Sequence, residues 1–278
     1  MSPFTLACLQ VTSSNIMAEN VETIGAMIAE AAARGAAFVA LPETANIVEP
    51  RREALFAQLR TEDEDPALAA WSGLAREKGV WLLIGSLMIR LSDEQAANRS
   101  FLIDDQGRIR ARYDKLHMFD VDLGEGERYR ESATYRPGEK AVLAETPWGK
   151  LGMSICYDLR FPALYRSLAK AGAEMFSVPA AFTVPTGEAH WATLLKARAI
   201  ENGAFLFAPA QTGTHPSGRR TWGHSMIVGP WGEVLGDAGS APGILLAEID
   251  MAKVGEVRRN LPSLSHDRAF TLEIGQNS

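Results

Sequence analysis

Cysteine is scarce in this 278-residue chain: Cys8 and Cys156 are the only two. They form no CxxC pair and suggest no disulfide framework, so a reducing, cytoplasmic setting is expected. Histidine is nearly as sparse. His117, His190, His215, His224 and His266 lack close ligand spacing, and no metal is expected. Long apolar runs are missing too. The longest, around Val80 to Ile89, is far too short to span a bilayer. The start, Met1-Ser2-Pro3-Phe4, has no basic segment leading into an apolar one and does not read as a signal peptide. Positive charge is not in excess. A net charge of −6 argues against a general nucleic-acid surface. No Ser/Pro/Gly-rich linker divides the chain, so one domain over residues 1–278 is expected.

What is present suits a globular protein with a substantial core, at 46% hydrophobic and 22% charged residues. Phe4 to Val11 reads as a buried strand with Cys8 packed inside it. Asn15 is placed to cap a helix over Ile16 to Arg34, since Val21, Ile24, Ile28 and Ala31 share a face and Gly35 can end it. Ala36 to Leu41 is a second strand. Asp65 and Pro66 open another helix that Gly79 stops. Val80 to Ile89 is a third strand, and Arg99 to Tyr113 a hairpin turning at Asp104-Asp105-Gln106-Gly107.

The second half repeats that order. Val142 to Cys156 reads as a hairpin, Ala163 to Ala171 as a helix and Glu174 to Val178 as a strand. Glu188 to Asn202 is a helix that His190 helps to start and Gly203 ends, with Arg198 and Glu201 paired on its exposed face. Ala204 to Ala208 is a strand, and His224 to Leu235 a last hairpin. Trp191, Trp222 and Trp231 read as packing or pocket walls. The pattern is that of an α/β protein with two layers of mixed sheet, helices outside, and an internal pseudo-repeat. The polar tail after Leu261 is expected to leave the core.

Three polar residues sit just beyond apolar segments. Glu43 follows Val39-Ala40-Leu41-Pro42, Lys115 follows the strand ending at Tyr113, and Cys156 follows Leu151-Gly152-Met153-Ser154-Ile155. Binding sites in open sheets collect beyond strand ends, so neighbouring strands would bring the three together. Their chemistry is complementary. A carboxylate can take a thiol proton, a thiolate can attack an electrophilic carbon, and an ammonium can stabilise the resulting oxyanion, with the Tyr157 N–H as second donor. A nearby lysine and a helix start are expected to favour the thiolate. His117, two residues after Lys115, offers an alternative Cys-His pair; the competing reading is a brace that bonds a neighbouring carboxylate.

Leu41-Pro42-Glu43, Tyr113-Asp114-Lys115-Leu116-His117-Met118-Phe119-Asp120 and Cys156-Tyr157-Asp158-Leu159-Arg160-Phe161-Pro162 resemble the nitrilase superfamily of carbon–nitrogen hydrolases. Lys196-Ala197-Arg198-Ala199-Ile200-Glu201-Asn202 and Gly223-His224-Ser225-Met226 fit as well, and the wording is similar to the Nit branch. The resemblance implies a four-layer αββα sandwich, a Glu43-Lys115-Cys156 triad and a second site glutamate at Glu131. It implies no cofactor, and a homodimer or higher homo-oligomer; the polar tail from about 261, carrying Pro262, is expected to cross to a partner subunit. The branch includes ω-amidases and deaminated glutathione amidases, which implies a small amide substrate bearing a carboxylate. Arg160, Arg128 and Arg130 are the candidates to hold that carboxylate. Leu123-Gly124-Glu125-Gly126-Glu127 departs from the Pro-Gly type turn expected there, in a loop that shapes the pocket. N-carbamoyl-amine and nitrile hydrolysis would use the same triad. An inactive binding or regulatory module of the same fold is the non-enzymatic alternative.

Overall fold

The computed structural model describes residues 2–124 and 128–275. In the first half, strands are β1 (Phe4–Gln10), β2 (Phe38–Ala40), β3 (Trp81–Arg90), β4 (Ala96–Ile103), β5 (Ile109–Asp114), β6 (Asp120–Asp122) and β7 (Arg128–Arg130). In the second half they are β8 (Val142–Thr146), β9 (Gly149–Met153), β10 (Met175–Ser177), β11 (Phe205–Ala208), β12 (Thr212–Thr214), β13 (Arg220–Trp222), β14 (Met226–Val228), β15 (Val234–Asp237) and β16 (Gly243–Ile249). Helices are α1 (Met17–Ala33), α2 (Arg52–Gln58), α3 (Pro66–Lys78), α4 (Pro162–Lys170), α5 (Val184–Asn202) and α6 (Ala252–Asn260).

Two six-stranded mixed sheets form, ordered β16-β1-β2-β3-β4-β5 and β15-β14-β11-β10-β9-β8. From β16 the first sheet pairs antiparallel, parallel, parallel, antiparallel, antiparallel. From β8 the second follows the same sequence. The pseudo-repeat is therefore one of topology, and its first copy is completed by β16 from the far end of the chain.

Side-chain alternation builds the layers. In β1, Leu6 and Cys8 join the core between the sheets, while Ala7 and Leu9 face the core under α1 and α3. Phe38 of β2 meets Phe207 of β11 edge-on across the sheets, with ring centroids 5.4 Å apart. Both rings are fully buried, each contributing about 1.5–3 kcal/mol. Helices α4 and α5 cover the second sheet, giving the αββα sandwich.

Some local expectations change. Asn15 does not cap α1, whose N-cap is Ile16 without a side-chain bond; the Asn15 amide reaches Glu49 at 3.3 Å. Helix α5 starts at Val184-Pro185, before Glu188, so His190 lies inside it. The Pro185 signal at a first turn was there to read. Trp191 is buried, yet Trp231 is 62% exposed and forms neither core nor pocket. Arg198 is buried rather than on an exposed face: Nε and Nη2 donate to the Leu159 carbonyl at 3.0 and 2.8 Å, and Nη1 to Glu201 at 3.1 Å.

Candidate active site

The strands that deliver Glu43, Lys115 and Cys156 are not neighbours. β2 and β5 are separated by β3 and β4 in one sheet, and β9 lies in the other. The side chains meet because the loops leaving these strands fold over one another at one end of the sandwich. Gly85 makes this possible for Glu43: a Cβ there would collide with the carbonyls of Leu41 and Pro42. Two residues beside the reacting groups hold left-handed backbone, Thr44 at φ 54° and Cys156 at φ 49°. Such conformations cost about 1–3 kcal/mol each and persist only where surroundings impose them. At Cys156 the imposing contact is its N–H to the Pro179 carbonyl at 2.9 Å.

Glu43 is buried, with every oxygen committed. Oε1 accepts from Lys115 Nζ at 2.9 Å and Asn98 Nδ2 at 2.9 Å. Oε2 accepts from the Ala181 N–H at 2.9 Å. The Cys156 thiol lies beside this carboxylate and helps hold its pKa down. Lys115, 2% exposed, donates in addition to Glu131 Oε2 and Oε1 at 2.8 and 3.0 Å. Glu131 is held by the Phe119 N–H at 2.7 Å and by Asn98 at 3.1 Å. Glu43, Lys115, Glu131 and Cys156 are thus brought together around one cavity of about 400 Å³.

Charge balance follows from this packing. Burial works to raise the Glu43 pKa, but the Lys115 ammonium, hydrogen bonds from Cys156 and Lys115, and the Arg219 charge together hold it below the ordinary value. Burial disfavours the Lys115 cation, yet Glu131 and Glu43 keep it charged, with its pKa well above the usual one. Burial, then the Glu43 charge, pushes the Cys156 thiol well up despite Lys115. Lys115 acts on the thiol in the expected direction, toward thiolate, but burial and the Glu43 charge outweigh it. These directions favour carboxylate, ammonium and neutral thiol at rest.

The arginine candidates separate. Arg160 lines the cavity, with its guanidinium 5.5 Å from the Phe182 ring centroid and 5.9 Å from that of Tyr157. Its Nη1 lies 3.3 Å from His190 Nδ1. Arg130 also lines the cavity. Arg128 pairs with Asp122 at 2.6 Å on the exposed β6–β7 hairpin and is not brought to the described cavity wall. Of the loop Leu123-Gly124-Glu125-Gly126-Glu127, residues 125–127 lie outside the described residues. His117 Nδ1 is 2.7 Å from Asp158 Oδ1 and its ring stacks on Phe161, so it braces the loop instead of serving the thiol. The Tyr157 N–H belongs to the first turn of the short helix Cys156–Arg160, where backbone donors have no partner within the helix.

Sequence reasoning missed Asn98, which ties the two glutamates together. Its signal was an amide within the strand Ala96–Ile103, whose buried polar side chains need partners. It also missed Arg219, which lines the cavity and donates to the Ala181 carbonyl at 2.8 Å.

A two-sheet αββα sandwich with a buried thiol, carboxylate and ammonium on one cavity defines a class of cysteine-dependent hydrolases. The sequence pattern of the carbon-nitrogen hydrolase family matches residues 5–259. A deaminated glutathione amidase of Synechocystis is 42% identical over 96% of this chain and 98% of its own. One from Yersinia enterocolitica is 50% identical over 70% of this chain and 69% of its own. Among solved structures, the Caenorhabditis elegans NitFhit protein superposes with a TM-score of 0.89 at 36% identity, covering 96% of this chain and 66% of that one. The chain belongs to the carbon–nitrogen hydrolase family. It is a hydrolase of carbon–nitrogen bonds of the amide type. No described helix is long and apolar enough to cross a membrane.

Proposed function

We propose that the chain cleaves the amide of a small, carboxylate-bearing substrate, deaminated glutathione or an ω-amide of a dicarboxylic acid, through a thioester on Cys156. The observation that carries this is the contact set on Glu43: Lys115 at 2.9 Å and the Cys156 thiol on one buried carboxylate. Glu43 takes the thiol proton as sulfur bonds to the carbonyl carbon. Lys115 and the Tyr157 N–H receive the developing oxyanion. The C–N bond breaks as Glu43 gives its proton to the departing amine or ammonia. Water then attacks the thioester, losing a proton to Glu43; the C–S bond breaks, Cys156 regains a proton, and the acid leaves. Glu131 orients Lys115 throughout. No step calls on a cofactor.

Deaminated glutathione is the substrate in the names of the relatives above, and the cavity lining supports a small carboxylate-bearing amide. Ile47, Val48, Leu55 and Met88 offer an apolar wall, and Arg160 offers a planar cation for a carboxylate, with Arg130 as rival. The protein is proposed to act in the cytoplasm as a homodimer or higher homo-oligomer. Its tail from about 261 crosses to the partner: Phe270, Leu272 and Ile274 are 89%, 85% and 82% exposed, a costly arrangement for a lone chain. The test is an amine- and ammonia-release screen over deaminated glutathione, ω-amides, N-carbamoyl compounds and nitriles. Preferred release from the first two supports the reading. Turnover confined to nitriles or carbamoyl compounds contradicts it.

A further inference from the structure

Asp158 is fully buried, and its carboxylate makes four contacts, all to the segments that carry Lys115 and Cys156. Oδ2 accepts from the Tyr113 hydroxyl at 2.6 Å and from the Ile155 N–H at 2.8 Å. Oδ1 accepts from the His117 N–H at 3.1 Å and lies 2.7 Å from His117 Nδ1. Tyr113 is two residues before Lys115 and His117 two after it. Ile155 immediately precedes Cys156, and Asp158 itself follows two residues later. The carboxylate therefore grips the lysine strand on both sides and the cysteine turn on both sides.

We propose that Asp158 is a positioning residue, a staple that fixes the separation of the Lys115 ammonium and the Cys156 sulfur; its effect on turnover rests on the amide-hydrolysis reading above. β5 and β9 lie in different sheets, so no ladder hydrogen bond sets that separation. The staple does so instead. Its parts are rigid. Tyr113 is buried, and burial together with the Asp158 charge pushes its phenol well above the ordinary value, so it remains a donor. The His117 ring is clamped on Phe161, with centroids 3.5 Å apart. The Tyr113 bond, at 2.6 Å, falls in the short range typical of strong carboxylate hydrogen bonds. A misplacement near 1 Å at reacting groups costs on the order of 100-fold in rate.

The test compares Tyr113→Phe, His117→Ala, His117→Gln and Asp158→Asn in the full chain, with kcat expressed per mole of folded protein recovered by size-exclusion chromatography. Tyr113→Phe and His117→Ala are each expected to lower kcat about tenfold with KM moved less than about twofold, and Asp158→Asn about 100-fold. His117→Gln, which keeps an N–H donor but cannot act as a base, recovers most of the His117→Ala loss; this separates a brace from a Cys-His pair. The rate of Cys156 alkylation by iodoacetamide falls in the same order, because a displaced Lys115 no longer favours the thiolate. That readout needs no substrate, so it tests the staple even if no amide is turned over. Parent-like kcat and alkylation in both Tyr113→Phe and His117→Ala overturn the proposal, whether or not Asp158→Asn folds.

Discussion

The groups proposed to react were legible because each follows the end of a strand. Glu43 and Cys156 are polar where the run before them is not, Lys115 follows the alternating strand Ile109–Asp114, and Glu131 entered through resemblance. Asn98 and Arg219 were hidden for a physical reason: their importance lies in contacts made across 55 and 38 residues of chain. The pull of Lys115 toward thiolate was visible in the sequence, while the burial that outweighs it was not. At this scale Lys115→Ala is expected to cut kcat/KM by about 10²–10³-fold or more, the value of a preorganised oxyanion donor. Arg160→Ala should raise KM for an anionic amide well above the change at Arg128→Ala, whose guanidinium pairs with Asp122 on an exposed hairpin; equal KM values would remove Arg160 from substrate binding. The Glu43 carboxyl is held below its ordinary value, so it stays ionised as pH falls and is protonated only below that value. A pH–rate profile should therefore keep its plateau through the ordinary carboxylate range and lose activity beneath it. An acid limb above pH 6 would contradict this.

Elements with local start and stop signals were read closely. Helix α3 matches: the Asp65 side chain accepts from the Leu68 N–H at 2.8 Å, Pro66 is the first residue, and Gly79 closes it at φ 64°. Asp65→Ala should cost about 0.5–2 kcal/mol in a denaturant titration, the usual worth of an N-cap, or more because the group is buried. The strand β16 was not foreseen, since Gly243 to Ile249 earns its place only by pairing with β1 from Phe4↔Ile249 to Gln10↔Gly243. Short hairpins such as β6–β7 carry too few residues for a periodic signal. Arg198 shows the same limit in a helix. Its (i, i+3) pairing with Glu201 exists, yet two other nitrogens reach down to Leu159 and hold the turn that presents Cys156.

At the scale of the molecule, alternation of strand and helix gave the class of fold, and the repeated order gave its two halves. The facing of the two sheets could not be read, because nothing local says which ends of β2, β5 and β9 coincide. The tail is held at Asp267 by Arg166 and Lys170 before its apolar residues become exposed. If the proposed oligomer forms through this tail, truncation after Leu261 should lower the mass found in light scattering to that of a monomer, with the isolated subunit still folded around its own core. An unchanged mass would contradict a tail-mediated oligomer. The whole account turns on one sulfur atom, and steady-state turnover of Cys156→Ala on the amide that the parent prefers is its most direct measure. A loss of about 10⁴-fold or more is predicted, as for removal of other covalent nucleophiles; a rate within tenfold of the parent would contradict it.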